Sequence, residues 1–215
     1  MGGSGFPISE RKIRLDAGIQ KGQAMKANKL VILDRDGVIN HDSADYIRSP
    51  EDWHAIPGSL EAIARLCRED YQVVLITNQS GISRGFYSTN QLNRIHQKML
   101  DELHRVGGEI SAIFFCPHSD SDQCECRKPR PGMFLELSER LKLSLNDVFA
   151  VGDSFRDLKA AQAAGALPVL VKTGKGRQTC QELPFLDPEN GMGQVPVYED
   201  LSGFVDDLLL ASGSA

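Results

Sequence analysis

Five short apolar runs punctuate the chain, and helical periodicities fill the intervals between them. The runs are KLVILD (29–34), YQVVLITN (71–78), ISAIFFC (110–116), DVFAVGD (147–153) and LPVLVKT (167–173). Each is rich in aliphatic and β-branched residues and lacks the alternation of a strand with one wet face, which predicts strands buried on both faces. Between them, SLEAIARLCRED, TNQLNRIHQKMLDELHRVGG, GMFLELSERLKLSL and DLKAAQAAG carry apolar residues at helical spacing. The second of these ends in a Gly pair suited to a helix C-cap, and a last amphipathic helix follows residue 198. Strands alternating with helices predict an α/β fold: a three-layer, doubly wound parallel sheet covered on both faces.

Length changes this picture little. The chain has 215 residues, which suits one domain with a substantial core, and residues 25–215 are read as that domain. Residues 1–24 start Gly-rich, hold no sustained period and stop just before Met25, so they are set aside as an added leader. Apolar content of 41% and charged content of 25% are ordinary for a globular chain. A net charge of −5 argues against an extended nucleic-acid-binding surface, while leaving room for a small positive pocket. No stretch reaches the roughly 18 apolar residues of a membrane span, and the N-terminus has no signal-peptide core. The expectation is a cytosolic protein, monomeric for want of a visible interface stripe. In a reducing cytosol, clustered cysteines bind metal or do chemistry more often than they form disulfides.

The polar residues gather where the strands end. The first run ends in DRDG, the second in TNQSG and the fourth in GDS. In open α/β sheets, ligands bind beyond the carboxyl ends of the strands. Asp34 and Asp36 are separated by one residue, so extended backbone sends both side chains to one face. There they repel and raise each other's pKa unless a cation or proton relieves them. They fit a solvated strand-end turn, or a nucleophile and general acid/base around Mg²⁺. Gly37 allows close backbone approach to a ligand. Thr77, Asn78, Gln79 and Ser80 sit on a Gly-permitted turn that can present N–H groups to an anion. Lys128 precedes Pro129, and Asp153 and Ser154 are placed to cap the helix that follows them.

Cys116, His118, Cys124 and Cys126 form a C-x-H…C-x-C set within the polar segment CPHSDSDQCEC. Four soft ligands with no open position fit a structural, tetrahedral Zn²⁺ and not Mg²⁺. The segment is too polar to fold against a core, so a metal clip substitutes for packing. It runs directly into Arg127 and Lys128, and the zinc is therefore expected to fix both cations without entering the chemistry.

In this order and spacing, DRDGVIN…TNQSG…CRKPRPGM…VGDSFRD resembles the haloacid-dehalogenase-like (HAD) phosphohydrolases, over nearly everything from Lys29 to the last helix. The resemblance implies that Asp34 attacks phosphorus to give an aspartyl-phosphate, with Asp36 as general acid and then base. It implies Mg²⁺ held by Asp34, the Asp36 carbonyl and Asp153. Thr77, Asn78 and Lys128 would hold the phosphoryl oxygens. Asp157 would orient Lys128 or support the metal shell. CPH…CxCRKPxPGM with LDRDGVIN and TNQSGI is similar to the subgroup holding heptose-bisphosphate and histidinol-phosphate phosphatases. That subgroup implies substrate contacts from Arg127, from the TNQS turn and from Asp42, Ser43, Ala44 and Asp45. The zinc loop is shorter than in some members, and the DSADY segment is one residue longer.

About forty residues separate Asp36 from Thr77, and about fifty separate Thr77 from Lys128, which leaves no room for a cap domain. A capless, stand-alone chain favours removal of the 7-phosphate of a heptose 1,7-bisphosphate, in making lipopolysaccharide precursors. Histidinol phosphate is the rival substrate, and a non-catalytic sensor of phosphometabolites is a rival of another class. A nucleic-acid end-processing phosphatase is disfavoured by the acidic charge. His96 and His104 are expected at the surface or boundary of their helix, His41 and His54 in loops, Cys67 in the core and Trp53 packing a loop. Cys180 is left without a role.

Overall fold

The computed structural model describes residues 29–186 and 194–213, so the leader assigned to residues 1–24 lies outside the described residues. Six strands form one sheet: β1 (Leu30–Leu33), β2 (Gln72–Asn78), β3 (Ala112–Cys116), β4 (Phe149–Gly152), β5 (Leu167–Val171) and β6 (Val197–Tyr198). Their order is β3-β2-β1-β4-β5-β6, and every pairing is parallel. The helices are α1 (Ser59–Arg68), α2 (Thr89–Arg105), α3 (Gly132–Leu141), α4 (Phe155–Ala163), α5 (Gly176–Leu186) and α6 (Leu201–Gly213). Helix α5 and strand β6 add to the elements that the pattern predicts.

The absence of alternation in β1 has its cause in the layering. Leu30 and Ile32 pack with Val74, Ile76, Phe134 and Ala160 on the face covered by α3 and α4. Val31 and Leu33 pack with Val73, Leu75, Ile63 and Phe204 on the face covered by α1, α2 and α6. Successive residues point to opposite faces, and both faces are dry. Trp53 is fully buried in the second of these cores. No domain is inserted between the strands among the described residues, and no helix there is long and apolar enough to cross a membrane.

This order places β1 and β4 side by side, with chain connections leaving them in opposite directions. The crevice beyond their carboxyl ends is where such a sheet binds ligands.

Candidate active site

Asp34 stands one residue beyond β1, its N–H donating to Val151 O of β4 at 2.9 Å. Lys128 reaches it from across the crevice. The Lys128 Nζ lies 3.0 Å from Asp34 Oδ1 and 2.7 Å from Asp157 Oδ1, and donates to Ile76 O at 2.7 Å. Asp157 is held in turn by the start of α4, where Ser154 donates its N–H (3.0 Å) and its hydroxyl (2.5 Å) to Asp157 Oδ2. Asn78 lines the same crevice, yet its side-chain amide is engaged with the Lys128 backbone. It accepts from Lys128 N–H at 3.1 Å and donates to Lys128 O at 3.0 Å.

Asp153 closes the group from the end of β4, its Oδ2 accepting the Lys175 N–H at 2.8 Å. Gly37 and Gly174 both adopt left-handed φ (+83° and +55°), and a Cβ on either would overlap the Asp153 carboxylate. Only glycine gives the backbone both that conformation and that approach.

Burial pushes the Asp34 carboxyl up to about 6, with Asp157 and Asp36 adding to Lys128's incomplete compensation. Asp153 is raised well above its ordinary value by burial and by the charges of Asp157 and Asp34. Burial also opposes the charges of Asp157 and Lys128, but their pairing wins, lowering the acid and raising the amine. Asp34, Asp153 and Asp157 each offer an oxygen within 4.8 Å of the others. Since both Asp157 oxygens already accept hydrogen bonds, Asp34 and Asp153 are the pair with capacity for a cation. An all-oxygen set with unrelieved negative charge fits a hard divalent ion.

At Asp36 a cation supplies the relief that the paired acids call for. Its carboxyl is held below the usual range although burial works against it, because Arg35, Asn40 and Gln79 all donate to it. Arg35 gives Nε to Asp36 Oδ1 at 3.0 Å and Nη2 to both oxygens at 2.8 and 2.9 Å. Asn40 and Gln79 add one bond each, at 2.9 and 3.0 Å. So the two acids do not raise each other alike: Asp34 rises, Asp36 falls. Gln79 also donates to Thr77 Oγ1 at 2.9 Å and accepts from Tyr87 at 2.7 Å.

His96, expected at the surface or boundary of α2, is instead buried behind Arg35, with Nε2 3.4 Å from Arg35 Nη1. A guanidinium only donates, so this nitrogen must accept, and burial and the Arg35 charge push His96 down to about 3. His104, His41 and His54 are exposed, as the pattern indicates, while Cys67 is half-buried against the core edge. Cys180 packs beside Leu158 and Leu183.

The three cysteines and the histidine of the polar loop come together as the spacing predicts. The sulfurs of Cys116, Cys124 and Cys126 lie 3.3–3.6 Å apart, and His118 Nδ1 lies 3.6 Å from Cys116 Sγ and 3.3 Å from Cys126 Sγ. All are free thiols. A tetrahedral ion with Zn–S near 2.3 Å would set its sulfurs about 3.8 Å apart, so this donor set fits zinc after a small expansion. Carbonyls of the loop tie it to the next segment: His118 O accepts from Arg127 Nη1 at 3.2 Å, and Cys124 O from Arg130 Nη1 at 2.7 Å.

These groups line a cavity of about 300 Å³. Asp42, Ser43, Ala44, Gln79, Ser80 and Arg127 line it too; Asp45 does not, being exposed, with its N–H donated to Ser43 Oγ and its carbonyl accepting from Arg48. Sequence reasoning missed several further residues there, among them Arg35, Tyr87, Arg84, Asp120, Arg156 and Lys175. Lys175 pairs with Asp42 at 2.6 Å, and Arg127 Nε with Asp120 at 2.6 Å. The Arg127 hydrogen bond, then the charges of Arg127, Arg156 and Arg84, hold the Asp120 carboxyl below its usual range.

Residues 125–190 match the family described as HAD-hydrolase-like. Over 181 residues, covering 84% of this chain and 98% of the relative, the sequence is 51% identical to a D-glycero-β-D-manno-heptose-1,7-bisphosphate 7-phosphatase of Bordetella bronchiseptica. The chain belongs to the HAD-like heptose-bisphosphate phosphatase family. A Pseudomonas putida relative of the same name is 45% identical over 181 residues, 84% of this chain and 99% of its own. The crystal structure of the B. bronchiseptica D,D-heptose 1,7-bisphosphate phosphatase, complexed with magnesium and phosphate, superposes with a TM-score of 0.80 at 50% identity. That match covers 85% of this chain and 99% of that one.

Proposed function

We propose that this protein is an Mg²⁺-dependent phosphatase that removes the 7-phosphate of D-glycero-β-D-manno-heptose 1,7-bisphosphate, on the route to a surface-glycan heptose. The observation that carries the reading is Asp34 held beside Lys128 and Asp153 at the reversal point of the sheet, in a chain 84% of which aligns with nearly the whole length of an enzyme of that name.

Asp34 is the nucleophile: its carboxylate attacks phosphorus and the sugar oxygen leaves, giving an aspartyl-phosphate. Asp34, Asp153 and the Asp36 carbonyl would hold Mg²⁺, which when bound offsets the repulsion between the Asp34 carboxylate and the phosphoryl group. Lys128 and Thr77 stabilise the phosphoryl oxygens, while Asn78 fixes where Lys128 sits. Asp36 donates a proton to the leaving oxygen and then takes one from the hydrolytic water. Its Arg35, Asn40 and Gln79 partners favour the ionised form, so it is a ready base. To serve first as an acid it must loosen part of that network as the leaving oxygen approaches. Arg127 faces the second phosphate of the substrate. Cys116, His118, Cys124 and Cys126 bind a structural Zn²⁺ that presents Arg127 and Lys128. The enzyme works as a cytosolic monomer.

The test is phosphate release with Mg²⁺ from both anomers of the heptose bisphosphate and from histidinol phosphate. The β anomer should have the largest kcat/KM, and Asp34→Asn should lower it by at least roughly 10³-fold. A preference for histidinol phosphate would sink the substrate assignment.

A further inference from the structure

The cavity carries its charge in two halves. At the deep end stand Asp34, Asp36, Asp153 and Asp157 against Arg35 and Lys128, an excess of two negative charges that suits a divalent cation. At the mouth the balance reverses: Arg84, Arg127, Arg156 and Lys175 face Asp42 and Asp120, an excess of two positive charges. Lys175 is neutralised by Asp42 and Arg127 by Asp120, each at 2.6 Å. The excess therefore resides on Arg84 and Arg156, whose side chains have no hydrogen bond or ion pair among the described residues. The two come from different elements. Arg84 lies on the turn after β2, where its own N–H donates to Ser80 O at 3.1 Å, and Arg156 lies in the first turn of α4. Two unrelated segments thus bring unpaired guanidiniums to the opening through which substrate passes, on the side where Asp120 already draws Arg127.

We infer that Arg84 and Arg156, with Arg127, form the subsite for the non-reacting phosphate of the substrate, and that Asp120 is its resting counter-ion. A phosphate dianion matches the two uncompensated charges, and planar guanidiniums bind phosphate through paired N–H donors. Asp120 is 74% exposed and holds Arg127 by a single 2.6 Å bond, so it can give way to the incoming anion at small cost. Asp120 thereby also penalises monophosphates, which enter without an anion to displace it.

This rests on the phosphatase reading, and the test separates the two. Heptose 1-phosphate, the product, carries only the non-reacting phosphate, so its calorimetric Kd reports the mouth without any turnover. Phosphate release from the bisphosphate reports the activity independently. Arg84→Ala and Arg156→Ala should each weaken heptose 1-phosphate binding about ten-fold, the scale of one charged hydrogen bond. Asp120→Asn should tighten it several-fold. Arg105→Ala, on the exposed end of α2, controls for net charge and should leave the Kd unchanged. The subsite is refuted if the product does not bind the wild type, if both arginine variants bind as the wild type does, or if Arg105→Ala weakens binding equally.

Discussion

Lys128 is the group whose removal the structure prices most clearly. It is 2% exposed, and its ammonium sits among Asp34, Asp157 and the Ile76 carbonyl at 3.0, 2.7 and 2.7 Å. Lys128→Met keeps the length of the side chain and takes away the charge. Asp34 and Asp157 then lose the one cation within 4 Å of them among the described residues, and Asp153 beside them is already pushed toward its neutral form. Removing one partner of a buried ion pair costs about 3–5 kcal/mol, because the other is left desolvated. A domain of ordinary stability, roughly 5–15 kcal/mol, survives such a loss, so the variant can be measured. Urea unfolding at pH 7.5 in EDTA should show it. Because Asp157 loses the closer contact, adding Asp157→Asn to Lys128→Met should cost about 1–3 kcal/mol less than the sum of the single changes. Mg²⁺ should restore part of the stability of Lys128→Met, by neutralising Asp34 and Asp153. Additive changes, or a loss below about 1 kcal/mol for Lys128→Met, would refute the claim that this cluster is balanced by one lysine.

Two other outcomes test the surroundings of the site. His96 titrates at about 3 in the fold against an ordinary 6.5, so below pH 6.5 the unfolded chain takes a proton that the folded chain refuses. Its contribution is full above pH 6.5 and declines as pH falls toward 3, by about 2 kcal/mol at pH 5. His96→Gln should flatten the acid limb of a stability–pH curve by that amount, and superimposable curves would contradict its buried, neutral state. One zinc per chain should be found by elemental analysis, and stripping it should lower Tm by roughly 5–10 °C, for a loop worth about 3 kcal/mol. Zinc but not Mg²⁺ should restore the Tm; an unchanged Tm on stripping would leave the loop held by other forces.

How much of this was legible in the sequence depends on whether the cause was local. Asp34, Thr77 and Asp153 were visible because each ends a continuous apolar run, and a parallel sheet aligns such ends. The Cys/His cluster was visible because soft ligands in a polar loop have few other uses. The lowered pKa of Asp36 was not, since it depends on Arg35 curling back and on Gln79, which is 43 positions away. His96 was readable and misjudged. It follows Leu92 by four and shares the buried stripe with Ile95, Met99, Leu100 and Leu103, so helical spacing outweighs its polarity. Strand β6 has two residues, too short to show any period, and α5 contains a proline at position 184 that interrupts its pattern.

The residues that escaped notice share an origin. Arg84, Asp120, Arg156 and Lys175 all lie on turns or helix starts beyond the sheet edge, and none stands at a position to which the motifs assign a role. The strand ends place Asp34 and Asp153, the carboxylates proposed as nucleophile and metal ligands, so a sequence that keeps those runs keeps that arrangement. The turns above them are free to vary in charge without disturbing the core. Among the described residues no cap is inserted over the crevice, so on the proposed reading the choice of substrate rests on those turns. A motif search finds the chemistry first for that reason: the reacting groups are tied to the pattern that folds the protein, and the selecting groups are not.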